Sequence, residues 1–183
     1  MKHAALRSDD DLTRETMHLA CVYGWLSRGW DQQRYGCQID KAPFPDSSDL
    51  VADQMEASKI YASMSAQPEP INHWLFYAYG DEHATDWMWR ARLVGYELWS
   101  KEKRDELNYH LVWLAIQDFR RRVMGQNSLS EEVLMAGMGG KKWAWHKLWK
   151  SKFDDCLDQL QAWDVHGVAM VSIAIREIRD GRG

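Results

Sequence analysis

The stretch Ser128–Phe153 constrains the fold most, because it combines a helix start, a glycine turn and a second helix. Ser130 precedes two acidic residues, Glu131 and Glu132. This pattern is typical of a helix N-cap followed by a first turn whose free N–H groups favour oxygen atoms and negative charge. Glycine adopts the positive φ angles of a sharp turn at little cost. Three glycines follow closely: Gly137, Gly139 and Gly140. The sequence therefore predicts two helices joined by a tight turn.

The helix after this turn is strongly basic, and no acidic residue lies between Glu132 and Asp154. We call residues 141–152 the basic segment. Its basic side chains are Lys141, Lys142, His146, Lys147, Lys150 and Lys152. A helix, a glycine turn and a basic helix together outline a helix-turn-helix DNA-binding motif. This motif usually has a small residue four positions before the turn glycine. Ala136 and Gly140 satisfy that rule, so the register depends on which glycine forms the turn.

Helical spacing places several of these cations on one side of the basic segment. Lys142, His146 and Lys150 lie at i, i+4 and i+8, with Lys147 at their flank. Lysine binds phosphate as a point charge, and a recognition helix needs phosphate contacts together with a few side chains that reach base edges. We therefore predict that this side binds double-stranded DNA.

The apolar residues of the same stretch fall on more than one side. Trp145 and Leu148 lie where they would pack on the preceding helix, whereas Trp143 and Phe153 lie on or near the predicted DNA-binding side. The alternative interpretation is an ordinary helical hairpin whose lysines are only solvated.

Three consecutive arginines, Arg120, Arg121 and Arg122, lie at the end of the helix that precedes the motif. Successive residues of a helix are about 100° apart, so the three side chains cannot all face the same way. One or two of them can bind phosphate, while another pairs with Asp118 or with the last carbonyl groups of the helix.

Charge is distributed unevenly along the chain, although the net charge is only −4. Residues 1–100 carry 9 basic and 15 acidic side chains, whereas residues 101–183 carry 14 basic and 12 acidic side chains. An acidic first half and a basic second half suit a protein that contacts DNA with one end. A difference of this size also arises by chance, so it supports the motif without replacing it.

Capping residues and helical periodicity predict helices through the rest of the chain. An apolar stripe from Leu157 reaches Gly167, and the tail beyond it fits either a helix or a strand. We favour a helix because the other elements are helical. A long loop is predicted at 31–48. We predict an all-α protein with three parts: a helical body at 1–106, a helix-turn-helix DNA-binding region at 107–166, and a C-terminal helix and tail at 167–183.

No group of residues predicts catalysis, a cofactor or a metal site. Phosphate-binding loops, dinucleotide fingerprints, nucleophile elbows and HExxH motifs are absent. The three cysteines, Cys21, Cys37 and Cys156, are scattered and predict reduced thiols without zinc. The acidic residues at 81–86 precede an amphipathic helix and predict its N-terminus. Without a membrane-length apolar run or a signal peptide, the chain is expected to be a soluble, cytoplasmic protein and not an enzyme.

Two stretches, YGWLSRGW at 23–30 and SLSEEVLMAGMGGKKWAWHKLW at 128–149, resemble phage late-gene antiterminators of the Q type, including AlpA-like regulators of bacterial lysis. The resemblance implies binding to a DNA element near a promoter, contact with RNA polymerase and sigma factor, and loading onto the elongating enzyme. It also implies that the RNA exit channel is narrowed so that terminator hairpins cannot form. The zinc-binding cysteine set of the lambda-type member is absent from this chain.

The resemblance also implies roles for individual residues. It assigns DNA binding to Lys141, Lys142, His146, Lys147 and Lys150, with Arg120, Arg121 and Arg122 as anchors on the DNA backbone. It assigns no residue to RNA polymerase, and we expect that contact among the aromatic residues of the first helix and the loop at 31–48.

Three other functions stay open from the sequence. A helix-turn-helix repressor or activator needs DNA but no lasting polymerase contact. A phage packaging adaptor of the small-terminase type also joins this motif to other helices, although no clear heptad run for ring assembly is visible. A protein-only inhibitor would use the 11 tryptophans as its contact surface. The DNA target and the oligomeric state are not fixed by the sequence.

Overall fold

The computed structural model describes residues 8–27, 47–80, 82, 84, 86–99 and 109–181, without the side chains of residues 22–27 and 47–54. The elements are α1 (Asp9–Ser27), α2 (Ser47–Ser65), α3 (Ile71–Tyr79), α4 (Trp87–Leu98), α5 (Tyr109–Val123), α6 (Glu131–Gly137), α7 (Lys142–Ala144), a π-helical segment (Trp145–Trp149) and α8 (Lys150–Arg179). These residues contain no strand, and the all-α prediction is confirmed. The predicted loop at 31–48 lies outside the described residues except for its last two, which begin α2.

Local capping residues set the start of α1. The Asp11 amide donates to Ser8 Oγ at 3.2 Å, and the Ser8 amide donates to Asp11 Oδ2 at 3.3 Å. The two residues thus satisfy each other's backbone N–H groups, as in a capping box. The hydroxyl of Ser8 also donates to Asp11 Oδ2 at 2.7 Å. The helix start predicted from the serine and the acids after it is confirmed.

The C-terminal tail is helical, so the strand interpretation is wrong. Helix α8 continues to Arg179 without a break at Gly167. Val168, Val171 and Ile175 are buried, while Ile173 between them is exposed, which is the spacing of a helix and not of a strand.

Gly167 has a packing role in the middle of α8. A Cβ atom at this position would lie 2.7 Å from Leu75 Cδ2, closer than real carbon atoms approach. The glycine therefore allows α8 to lie directly against α3, which explains why it occurs in a helix where it would otherwise cost about 1 kcal/mol relative to alanine.

Helix α8 is the central element of the described structure. It packs against α1, α2, α3 and α5, while α4 packs on α3 and α5, and α6 packs on α5. The buried apolar side chains form one cluster to which α1 to α6, the π-helical segment and α8 all contribute. The basic segment and the helical body consequently share a hydrophobic core.

One buried carboxylate joins three helices inside this core. Asp164 of α8 is 1% exposed. Its Oδ1 accepts a hydrogen bond from the Tyr79 hydroxyl at 2.6 Å and another from Trp74 Nε1 at 3.0 Å. Its Oδ2 lies 2.9 Å from the guanidinium of Arg14 in α1. These partners replace the water that the carboxylate loses on burial, and an ionised buried acid requires such partners.

The neighbours of Asp164 are held in fixed protonation states. Burial, reinforced by the adjacent Asp164, raises the pKa of Tyr79 well above its usual value, so the phenol keeps the proton that it donates. Burial alone would lower the pKa of Arg14, but Tyr79 and Asp164 outweigh it and raise that pKa. The Arg14 Nε also donates to the Tyr79 hydroxyl at 3.1 Å, which closes the network.

Replacing Asp164 with Asn should destabilise the protein by about 2–4 kcal/mol, because the half-buried Arg14 loses its counter-charge and the buried network around position 164 loses an acceptor. Urea unfolding followed by circular dichroism measures this loss. The matched control is Asp10→Asn in α1, which is exposed and should change the unfolding free energy by less than about 0.5 kcal/mol. Equal stability of the two variants would contradict the role assigned to Asp164.

Candidate nucleic-acid interface

The start of α6 is fixed both locally and by α5. Ser130 is the N-cap, and its Oγ accepts a hydrogen bond from the Val133 amide at 3.3 Å. The predicted cap is therefore confirmed. The amide of Leu129, just before the cap, donates to Asp118 Oδ1 of α5 at 2.5 Å. Asp118 is fully buried, so the corner between α5 and α6 is attached to a rigid part of the core.

Two of the three glycines form the turn after α6. Gly139 and Gly140 have φ angles of 92° and 73°. The Gly140 amide donates to the Met135 carbonyl at 2.7 Å and the Gly139 amide donates to the Ala136 carbonyl at 3.3 Å, which is the Schellman pattern of a helix end. Of the two registers considered, the turn through Gly140 is the one that has this geometry.

Gly137 has a different role from the one predicted. It is the last residue of α6 and is not among the glycines with positive φ. A Cβ atom there would lie 2.8 Å from Leu114 Cδ1 of α5. The absence of a side chain at Gly137 thus brings the end of α6 close to α5.

The basic segment is continuous with the central helix of the protein. Residues Lys142–Ala144, the π-helical turn Trp145–Trp149 and α8 follow one another without an interruption. A π-helical turn inserts an extra residue into the helical repeat and shifts the side chains that follow it. Positions predicted with a uniform repeat are therefore displaced beyond this turn.

The apolar side chains show this displacement. Trp145 is buried and contacts the Phe153 ring of α8 edge-on at 5.5 Å between centroids, while its predicted contact with the preceding helix stays a prediction. Phe153 is also buried, and its predicted place near the DNA-binding side is wrong. Leu148, predicted to pack on the preceding helix, is 46% exposed, and Trp143 is 62% exposed.

The basic side chains of the basic segment are exposed, except for the half-buried Lys152. Lys141, Lys142 and Lys147 are exposed and form no ion pair with the residues that the structure describes. His146 Nε2 lies 3.1 Å from Glu131 Oε1, and Lys150 Nζ lies 3.0 Å from Asp154 Oδ2. Both pairs involve exposed side chains, so each is worth about 1 kcal/mol or less and can exchange for another anion.

Arg120 is built into the protein body. Its guanidinium lies 2.8 Å from Glu82 Oε1, donates from Nε to the Tyr77 carbonyl at 3.2 Å, and lies 4.9 Å from the centre of the Trp87 ring. Burial raises the pKa of the Tyr77 hydroxyl to about 12, although the nearby Arg120 opposes this shift. A phosphate contact by Arg120 would have to replace these partners.

Arg121 and Arg122 point to different neighbours. The guanidinium of Arg122 lies 2.6 Å from Asp118 Oδ2 and forms an ion pair with it. This confirms the expectation that one arginine pairs with Asp118. Arg121 is exposed and donates from Nε to the Asn127 carbonyl at 2.8 Å. DNA contact by any of the three arginines stays a prediction.

Asp118 has a second contact that the sequence did not predict, in addition to its predicted pairing with an arginine. It binds the amide of Leu129 before α6 and the guanidinium of Arg122 in its own helix. An acidic residue on the apolar face of α5 was the available signal, because a buried acid needs dedicated partners. The identity of those partners depends on the α5–α6 corner and not on helical spacing.

The described residues contain no group of three or more His, Cys, Asp or Glu side chains that could hold a metal ion. Cys21 and Cys156 are buried and form no disulfide within the described part of the chain, and Cys37 lies outside the described residues. Within the described part of the chain, no helix is both long and apolar enough to cross a membrane.

Comparison with known proteins gives one match. A family model described as phage antitermination protein Q matches residues 46–180, which include all of α2 to α8 and Asp46, the residue before α2. No curated protein sequence and no solved structure matches.

The different positions of the arginines lead to a testable difference in stability. Arg120→Ala should lower the unfolding free energy by about 2 kcal/mol, because the Tyr77 carbonyl and the Trp87 ring lose their cationic partner. Arg121→Ala should cost less than about 1 kcal/mol, since its side chain is exposed. Chemical denaturation of the two variants measures both changes. A larger loss for Arg121→Ala than for Arg120→Ala would contradict the assignment.

Proposed function

Because the chain belongs to the phage antitermination protein Q family, we propose that it is a processive transcription antiterminator. It binds a specific double-stranded DNA site near a promoter and loads there onto RNA polymerase and sigma factor. It then travels with the elongating enzyme and suppresses termination. The family is not a class of enzymes, and the proposed activity consists of binding steps alone.

The observation that carries the DNA-binding step is the exposed basic segment after the α6 turn. Its exposed cations follow a capped helix and a glycine turn, which is the order of elements in a helix-turn-helix motif. In the proposed complex, α6 lies across the DNA backbone and the basic segment enters the major groove. The shared core with α8 keeps the segment at a fixed orientation to the body.

The cations divide into three groups by what they now contact. Lys141, Lys142 and Lys147 have no competing ion pair among the described residues, so we assign them to phosphates. His146 and Lys150 would exchange their exposed carboxylate partners for DNA at little cost. Arg121 is the exposed arginine and is assigned to the backbone. Arg120 and Arg122 support the corner that positions α6.

The polymerase contact is proposed on the family alone. The loop at 31–48, where we expected part of it, lies outside the described residues except for the start of α2. The aromatic residues of the first helix, Tyr23 and Trp25, belong to the part of α1 whose side chains are not described. No residue is therefore assigned to RNA polymerase.

Exchanging Lys142 and Lys147 for Glu should weaken binding to the specific DNA site at least about 100-fold, because two phosphate contacts become repulsive. The slope of log affinity against log salt concentration should become shallower by about 2. Electrophoretic mobility shift or fluorescence anisotropy at several salt concentrations measures both quantities.

The matched control is Lys59→Glu with Arg92→Glu, which makes the same change in net charge at exposed positions of α2 and α4. This variant should keep most of the wild-type affinity, and both variants should keep wild-type helical content by circular dichroism. Equal loss of binding in the two double variants would contradict a specific role for the basic segment.

Single-round transcription past a terminator tests the complete function. The template carries a promoter from the protein's own genomic neighbourhood, and the protein is added before initiation. We expect read-through that depends on one promoter region and disappears in the Lys142→Glu, Lys147→Glu variant. A change in initiation without read-through would contradict antitermination and indicate an ordinary repressor or activator. No effect on transcription would contradict both.

A further inference from the structure

Helix α8 has a second apolar face, opposite to the one that packs into the core. Val165 is 56% exposed and Ile173 is 50% exposed, and both lie on the outer side together with Ala162 and Ala169. The spacing 162, 165, 169 and 173 places these residues in one stripe along the helix, as in the seam of a coiled coil. Met170 lies at its edge and is 42% exposed. We call Ala162, Val165, Ala169 and Ile173 the outer stripe.

Opposite charges flank the outer stripe at its two ends. Asp158 lies before it and Arg176 lies after it, and both side chains are exposed. The two residues are separated by a whole number of helical turns, so they lie on the same line along the helix. Each is equally distant in sequence from Gly167. The outer face of α8 thus has an acidic end, a middle that is apolar apart from the exposed His166 at its side, and a basic end.

We propose that the outer stripe is the contact surface between two copies of this chain, paired antiparallel around a two-fold axis near Gly167. In this arrangement Asp158 of each copy faces Arg176 of the other, and Val165 of each copy faces Ala169 of the other. A two-fold contact uses the same patch on both subunits, so the patch must be complementary to itself. The positions of Asp158 and Arg176 about Gly167 meet that requirement.

The side chains of the stripe suit two helices that approach closely. Alanine at 162 and 169 lets the backbones come near each other, while Val165 and Ile173 supply apolar area. A parallel pairing of the same stripe would instead place Asp158 against Asp158 and Arg176 against Arg176, which is repulsive. The charges therefore favour the antiparallel arrangement over the parallel one, and they favour a second copy of this chain as the partner.

The contacts that Arg176 already makes do not prevent this pairing. Its guanidinium lies 3.5 Å from Asp9 Oδ2, and both side chains are largely exposed to solvent. Such a surface pair contributes little and exchanges easily. Asp158 forms no ion pair with the described residues and is available to a second copy.

The size of the stripe sets the expected strength of the dimer. The helix between Asp158 and Arg176 is about 27 Å long, and pairing over such a length buries on the order of 1,000 Å². This is at the lower end for specific interfaces, so the dimer should dissociate in the micromolar range. The inference concerns α8 alone and does not depend on DNA binding.

Sedimentation velocity of the full-length chain tests the interface. At about 100 μM we expect a dimer for the wild type, and a monomer for Val165→Arg. The matched control is Val133→Arg, the same substitution at an exposed valine of α6, which should remain dimeric. The Lys142→Glu, Lys147→Glu variant should also remain dimeric, so failure of the DNA proposal and failure of this one are distinguishable.

Charge exchange tests the antiparallel register. Asp158→Arg alone and Arg176→Asp alone should each be monomeric, because each places like charges opposite one another. An equimolar mixture of these two variants should form a heterodimer, since both facing pairs are then opposite in sign. In a parallel dimer, like charges would face each other at both positions in the wild type and in each single variant alike. Single variants that associate as strongly as the wild type would therefore contradict the antiparallel register.

Two outcomes would overturn the proposal. A wild-type monomer at this concentration would show that a second copy does not occupy the stripe. A dimer that persists in Val165→Arg, or a mixture of the charge variants that stays monomeric, would place the interface elsewhere or in another register. Circular dichroism of every variant should match the wild type, since the substituted side chains are exposed.

Discussion

The buried carboxylate of Asp164 is the interaction on which the arrangement of the helices depends. It receives hydrogen bonds from Trp74 and Tyr79 of α3 and an ion pair from Arg14 of α1, so three elements meet at one group. An isolated charge in a protein interior is very costly, and only the arrangement that brings all of these partners together removes that cost. Apolar contacts between helices tolerate small shifts, whereas this network has a defined geometry.

The sequence predicted those parts of the fold that depend on neighbouring residues. Helix starts at Ser8 and Ser130 and the helical tail follow from local hydrogen bonds and from spacing, and these predictions are confirmed. Uniform helical spacing failed where the π-helical turn interrupts it, which is why Leu148 and Phe153 were assigned to the wrong sides. The partners of Asp164 are distant in sequence and follow from packing that no local pattern contains.

In the candidate interface, too, the sequence predicted local features but not the contacts between distant elements. The concentration of lysines in the basic segment is a property of composition, and the structure places those side chains at the surface. The sequence predicted that the three arginines face different ways but not which contact each one makes: Arg120 lies against Trp87, Arg122 against Asp118, and Arg121 at the surface. Their differences arise from elements that come together only in the folded chain, so a charged run alone could not rank its members.

The continuity of the basic segment with α8 has a geometric consequence for the proposed binding to a DNA site. Lys142 and Asp164 belong to one uninterrupted helical rod, so the segment cannot rotate about the helix axis without turning the core with it. The body would then face a direction set by the rotational phase of the DNA helix at the bound site. Displacing that site by half a helical turn of the DNA would carry the protein body to the opposite side of the duplex. Displacing it by a full turn would return the body to its original side. The effect of the protein at a promoter would thus vary periodically with the distance between the bound DNA site and the promoter.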